Sequence, residues 1–114
     1  MQSPTAVRYL LISPDNEVTE GTAEFTVDTL FDLIGAPFTV APSDGDLTAF
    51  VAEEVSPSMR FNWVASNLLR QHMNPDDRVM GYAVLTGPPD SAGDPTDVSD
   101  EVISRVRASV PRSR

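Results

Sequence analysis

The stretch Val79-Met80-Gly81-Tyr82-Ala83-Val84-Leu85 decides the fold. Val79, Ala83 and Leu85 fall on one alternating face and Met80, Tyr82 and Val84 on the other, and both faces are apolar. A strand wetted on one side would alternate apolar with polar residues. This pattern therefore predicts a strand in the middle of a sheet, with other elements packed on both of its faces.

Reading upstream, Asn74-Pro75 closes a helical stripe made of Val64, Ala65, Leu68, Leu69, His72 and Met73. Before it, Phe38 to Ala41 and Leu47 to Glu53 read as two strands around Pro42-Ser43-Asp44-Gly45-Asp46, whose Asp-Gly pair is a hairpin signal. Val27, Leu30, Phe31 and Ile34 recur at the spacing of one helical face. Asp28 and Asp32 lie on that helix, Gly35 is placed to cap it and Pro37 to stop it. At the start, the apolar run Val7 to Ile12 leads into the turn Ser13-Pro14-Asp15-Asn16, followed by an edge-like strand around Ala23-Glu24-Phe25-Thr26.

Downstream, Gly87 to Asp97 holds three prolines, two glycines and three aspartates, the composition of a mobile surface loop. Ser99 then caps a last helix with Asp100 and Glu101 in its first turn. Val98 is placed to staple onto Ile103, and Val102, Ile103, Val106 and Val110 form the buried face. Glu101 and Arg105 stand i, i+4 before Pro111. The sum is an α+β fold, a mainly antiparallel sheet of about four to five strands with about three helices packed on it, and a ferredoxin-like arrangement is one compatible topology. One domain over residues 7–110 is expected, between a disordered 1–6 and a frayed 111–114.

Composition narrows the chemistry. A chain of 114 residues, 40% hydrophobic and 22% charged, is long enough to form one core, burying roughly 65% of its unfolded surface. It has no cysteine, so disulfides, thiolate metal sites and thiol nucleophiles are excluded, which fits a cytoplasmic setting. Met1 to Thr5 has no signal-peptide pattern, and no apolar run is long enough to span a bilayer. A net charge of −9 with no lysine opposes binding to anionic membranes and direct binding to nucleic acid.

Candidate catalytic groups are few. His72 is the only histidine, and no nucleophile-elbow motif accompanies it. Asp15-Asn16-Glu17 and Asp44-Gly45-Asp46 resemble fragments of calcium loops but lack the twelve-residue frame. Glu53-Glu54 and Asp76-Asp77 read as solvated pairs, and Phe61 and Trp63 as aromatics covering the core at a helix start. The arginines at 105, 107, 112 and 114 fit the negative end of the last helix. No catalytic, cofactor-binding or metal-ligating residue is therefore expected.

The run Tyr9-Leu10-Leu11-Ile12, the helix end Leu30 to Gly35, Asn62 leading into Ala65 and Leu68-Leu69, the strand Gly81 to Gly87 and Asp94 to Val102 (DPTDVSDEV) together resemble domain-of-unknown-function family 3846, over about residues 7 to 110. Members of that family are typically encoded by bacteriophages, plasmids and actinobacterial hosts. The resemblance implies an accessory protein of a mobile element, and it implies no catalytic site. The family pattern usually reads Asn-Glu-Glu-Gly after the second hairpin strand, where this chain has Ala52-Glu53-Glu54-Val55.

Charge is the remaining signal. From Tyr9 to Met59 there are ten carboxylates and no lysine or arginine, whereas residues 60–114 hold seven of each sign. Asp15, Glu17, Glu20, Glu24, Asp44, Asp46, Glu53 and Glu54 are the candidate surface for a basic host or phage protein, recognised without catalysis. A sharper form is a DNA mimic whose carboxylates are spaced like phosphates. The alternative is a small ligand-binding domain or enzyme built around His72.

Overall fold

The computed structural model describes residues 6–24, 26–41, 45–54, 56–72 and 78–110. Of the expected disordered tail over 1–6, residues 1–5 lie outside the described residues, as do hairpin residues 42–44 with the candidate Asp44, residues 73–77 with Asp76 and Asp77, and the expected frayed end 111–114, whereas Ala6 is the first residue of a strand.

The strands are β1 (Ala6–Ile12), β2 (Val18–Glu24), β3 (Phe38–Ala41), β4 (Thr48–Ala52) and β5 (Ala83–Thr86). The helices are α1 (Val27–Ile34), α2 (Trp63–Leu69), continued by a 3-10 turn at Arg70–His72, and α3 (Asp100–Ser109). The protein is thus α+β, a five-stranded sheet in the order β2-β1-β5-β4-β3. All neighbouring strands are antiparallel, with Leu10 opposite Leu85 and Phe50 opposite Val84. The ferredoxin-like arrangement repeats a β-α-β unit twice, whereas here a complete hairpin, β1–β2, precedes the first helix and the last strand enters between the two hairpins, so the topology differs from it. Two hairpins, β1–β2 and β3–β4, are joined by α1, and β5 fills the slot between them.

β5 is central as the apolar pattern predicts, and each of its four residues is buried. It starts at Ala83 because Gly81 adopts a left-handed conformation, φ 78°, and breaks the run. The residues before it pair instead with the approach to α2: the Asn62 amide donates to Val79 O at 2.8 Å and the Gly81 amide to Arg60 O at 2.8 Å.

Alternation along the sheet gives two cores. On one side, Leu10, Ile12, Ala49, Ala83 and Leu85 pack with Val64, Ala65 and Leu69 of α2 and Val102, Ile103 and Val106 of α3. On the other, Phe50 and Val84 pack under Leu30 and Ile34 of α1. Phe38 meets Phe50 there edge to face, with ring centroids 6.1 Å apart.

One short helix covers this second side, and its contact is narrower than its apolar stripe. Leu30 and Ile34 are buried, but Val27 is 71% and Phe31 46% exposed, against the expectation that all four face the core. The Thr26 hydroxyl caps the helix start by accepting from Thr29 N. Gly35, at φ 78°, closes its end through a 2.7 Å bond from its N–H to Phe31 O.

Asn62 joins the sheet to α2. Its side chain is completely buried. Its Oδ1 caps α2 by accepting from Ala65 N at 3.0 Å, while its Nδ2 donates to Ile12 O at 3.0 Å and Gly81 O at 2.8 Å. One side chain thereby locks the end of β1, the lead-in to β5 and the start of α2 together.

The Gly87–Asp97 segment differs from the expected mobile loop, because it folds back on itself. Gly87 N donates to Thr96 O at 2.9 Å, and Asp90 Oδ1 accepts from the amides of Ala92 and Asp94, each at 2.9 Å. The Asp90 side chain does the work of a backbone turn. Beyond it, Asp97 Oδ1 accepts from Arg8 N at 2.9 Å and Val98 N donates to Arg8 O at 3.0 Å, extending β1 where β5 has ended.

Candidate functional site

The strand register decides whether the acidic residues converge. Ile12 lies opposite Ala83, so the Ser13–Glu17 turn stands at the end of the sheet where β5 begins. Thr48 lies opposite Thr86, so the β3–β4 turn stands at the other end. Asp15 and Glu17 are thus separated from Asp46 by the length of the sheet. Glu24, at the last residue of β2, is at the far end from Glu17. The described candidate carboxylates do not form a single row of the kind a DNA mimic requires.

Three of them are neutralised by arginines remote in sequence. Arg60 donates to Asp15 Oδ2 at 2.7 Å, and this contact lowers the Asp15 carboxyl below its ordinary range while raising the Arg60 guanidinium. Glu20 lies opposite Leu10, on the sheet face carrying α3, and is gripped from two sides. Arg8 reaches its Oε1 at 3.0 Å and Arg107 its Oε2 at 3.2 Å, and both hold its carboxyl low, Arg8 the more strongly. Arg8 also reaches Asp100 at 2.8 Å; with Glu20, that carboxylate raises the Arg8 guanidinium. Asp46 accepts from Arg105 at 2.5 Å. These exposed pairs tie β1 and β2 to α3, the Ser13–Glu17 turn to the lead-in before α2, and the β3–β4 turn to α3, and leave little net charge at their positions.

The other carboxylates behave differently. Glu17, Glu24, Asp28, Asp32, Glu53 and Glu54 are exposed and have no cationic partner among the described residues. Four of them lie along α1 or beside its C-terminal end. Asp28 and Asp32 stand on the solvent side of α1 beside the exposed Val27 and Phe31. α1 ends at the Gly35–Pro37 turn, and Pro37 O accepts from Glu53 N at 2.8 Å, which brings Glu53 and Glu54 to the same end of the helix. Asp28 and Asp32 were outside the candidate surface read from the sequence. Their signal was there, in an acidic pair flanking a stripe with more apolar residues than one short helix can bury.

Beside this face lies a cleft of about 580 Å³, lined by Pro14, Phe31, Ile34, the Gly35–Pro37 turn, Glu54, Ser56, Ser58, Met59, Arg60, Gly81 and Tyr82. Its size lies within the ordinary range of ligand sites, roughly 300–1,000 Å³. Phe31 and Tyr82 expose 46% and 39% of their surface. His72 is half-buried in the 3-10 turn and is not among the lining residues. Among the described residues no group of three or more His, Asp or Glu side chains is placed to hold a metal ion. Phe61 and Trp63, expected over the core, are 40% and 42% exposed, with the Arg78 guanidinium 5.9 Å from the Phe61 ring centroid. Asn62 between them takes the buried position, so its neighbours turn outward.

No helix among the described residues is long and apolar enough to cross a membrane. Compared with known proteins, the chain matches no family model, no curated protein and no solved structure.

Proposed function

We propose that this protein is a non-enzymatic binding module that receives a basic segment of another protein on the exposed face of α1 and the adjoining end of β4. The observation that carries this reading is the division of the carboxylates. Asp15, Glu20 and Asp46 are paired with arginines, while Asp28, Asp32, Glu53 and Glu54 have no described cation and lie along, or beside the C-terminal end of, the helix that exposes Val27 and Phe31. A charged rim around an apolar centre is the usual anatomy of a protein-binding patch. Its acidity selects a basic partner and raises the association rate. In the mobile-element setting that the resemblance implies, that partner is a host or phage protein.

The test is affinity capture from host cells at low and high salt with the intact chain, an Asp28→Asn/Asp32→Asn/Glu53→Gln variant and a Glu17→Gln/Glu24→Gln control of similar charge. A basic protein held at low salt by the intact chain and the control, released at high salt and lost by the triple variant, is the expected result. Equal retention by the triple variant refutes the reading.

A further inference from the structure

The cleft next to this face has features that a general acidic surface lacks, and they favour one kind of occupant. α1 terminates at it, and the C-terminal end of a helix carries partial negative charge. Glu54 lines it as an exposed carboxylate with no described cationic partner. Phe31 and Tyr82 supply aromatic rings, which attract cations to their faces. Arg60 is the cationic residue among the lining groups, and its charge is matched by Asp15. The cleft therefore joins apolar walls to a net attraction for positive charge.

We infer that the cleft is a recognition pocket for the guanidinium of an arginine side chain in the docked basic segment, a deepening that rests on the docking proposed above. Arginine fits better than lysine, because its planar head stacks on aromatic rings while its N–H fork engages a carboxylate and backbone carbonyls. At about 580 Å³ the cleft has room for the whole side chain and part of its backbone.

The test is a titration of the isotope-labelled full chain, followed by amide chemical shifts, with N-acetyl-arginine amide and with the uncharged near-isostere N-acetyl-citrulline amide. The arginine probe should move the amides of Gly35, Ala36, Gly81 and Tyr82 saturably, and the citrulline probe should bind at least about tenfold more weakly. Tyr82→Leu should weaken the arginine probe by about two- to fivefold, and Glu54→Gln should remove most of the preference over citrulline. Equal affinity for the two probes, or shifts confined to the Asp28 and Asp32 face, overturns the pocket. That result would leave the docking reading intact, because the triple variant used there retains Glu54. Capture indifferent to the triple variant would instead remove the docking reading.

Discussion

Replacing Asn62 by aspartate exchanges a single –NH₂ group for oxygen, and the effect should far exceed the size of the change. The helix cap is preserved, since aspartate and asparagine cap equally well and Oδ1 can still accept from Ala65 N. What is lost are the two bonds donated by Nδ2 to Ile12 O and Gly81 O, at a site with no exposure to solvent. A buried carbonyl deprived of its donor costs about 1–3 kcal/mol; Ile12 O bears that full penalty, and the part-buried Gly81 O adds a smaller one. Together they are a sizeable part of the total of about 5–15 kcal/mol available to a domain. Burial among carbonyl oxygens must also raise the new carboxyl above its unfolded value of about 3.9. The sign follows from proton binding. Between the unfolded and the raised folded value, the native state binds more protons, so the variant loses stability as pH rises through that window, by about 1.4 kcal/mol per unit. Below it, the protonated acid can donate one of the two lost bonds and recovers part of the deficit. Urea unfolding of both proteins from pH 4 to pH 7, with the wild-type value subtracted at each pH, measures this. A deficit under about 1 kcal/mol at pH 7, or one that does not vary with pH, would refute the assignment of Asn62 as the three-way lock.

Gly87→Ala should destabilise the protein by about 1–3 kcal/mol, because a Cβ there would lie 2.3 Å from the Asp97 backbone oxygen, which cannot swing aside as a side chain could. Denaturation midpoints check this, and a neutral result would mean that the returning segment is not held against β5. Glu20→Gln should destabilise at pH 7 and become harmless in acid. The Glu20 carboxyl is held low by Arg8 and then Arg107, so its contribution is present above the unfolded value of about 4.5 and is lost as pH falls through the lower folded value. A wild-type-to-variant gap in unfolding midpoint that stays constant from pH 7 to pH 3 would contradict that network.

The parts of the structure legible in the sequence are those written in local periodicity. The period of two in Val79 to Leu85 located the central strand, and Gly35 closes α1 and Ser99 opens α3 as expected, with Ser99 accepting from Val102 N at 3.1 Å. The candidate site was less legible, because its determinants are long-range. Arg60 meets Asp15 across 45 positions, Arg105 meets Asp46 across 59 and Arg107 meets Glu20 across 87, and no local pattern reveals which carboxylates a distant arginine will neutralise. The acidic first half was visible as composition, but pairing alone decides which of its members still present charge. The orientation of α1 escaped for a related reason. Periodicity marks which residues share a helix face, whereas the area of sheet available beneath determines how many of them are covered. Several of the residues singled out in the sequence hold the fold in place: Leu10 and Ile12 lie in the core, Asn62 locks three elements and Asp97 anchors Arg8.

The late arrival of β5 in the chain has a consequence for synthesis. When residue 78 leaves the ribosome, both hairpins have been made, yet β1 and β4 each still present an unpaired inner edge beside apolar surface. Such edges pair readily with other chains. At about 5–20 residues per second the remaining segment follows within seconds, and insertion of Ala83–Thr86 closes both edges in a single step. Nascent chains stalled or cleaved before Ala83 should therefore aggregate through these edges, whereas chains extended past Thr86 keep uncovered only the face that α3 later packs on. In this protein the strand that completes the sheet also ends the exposure of its inner edges.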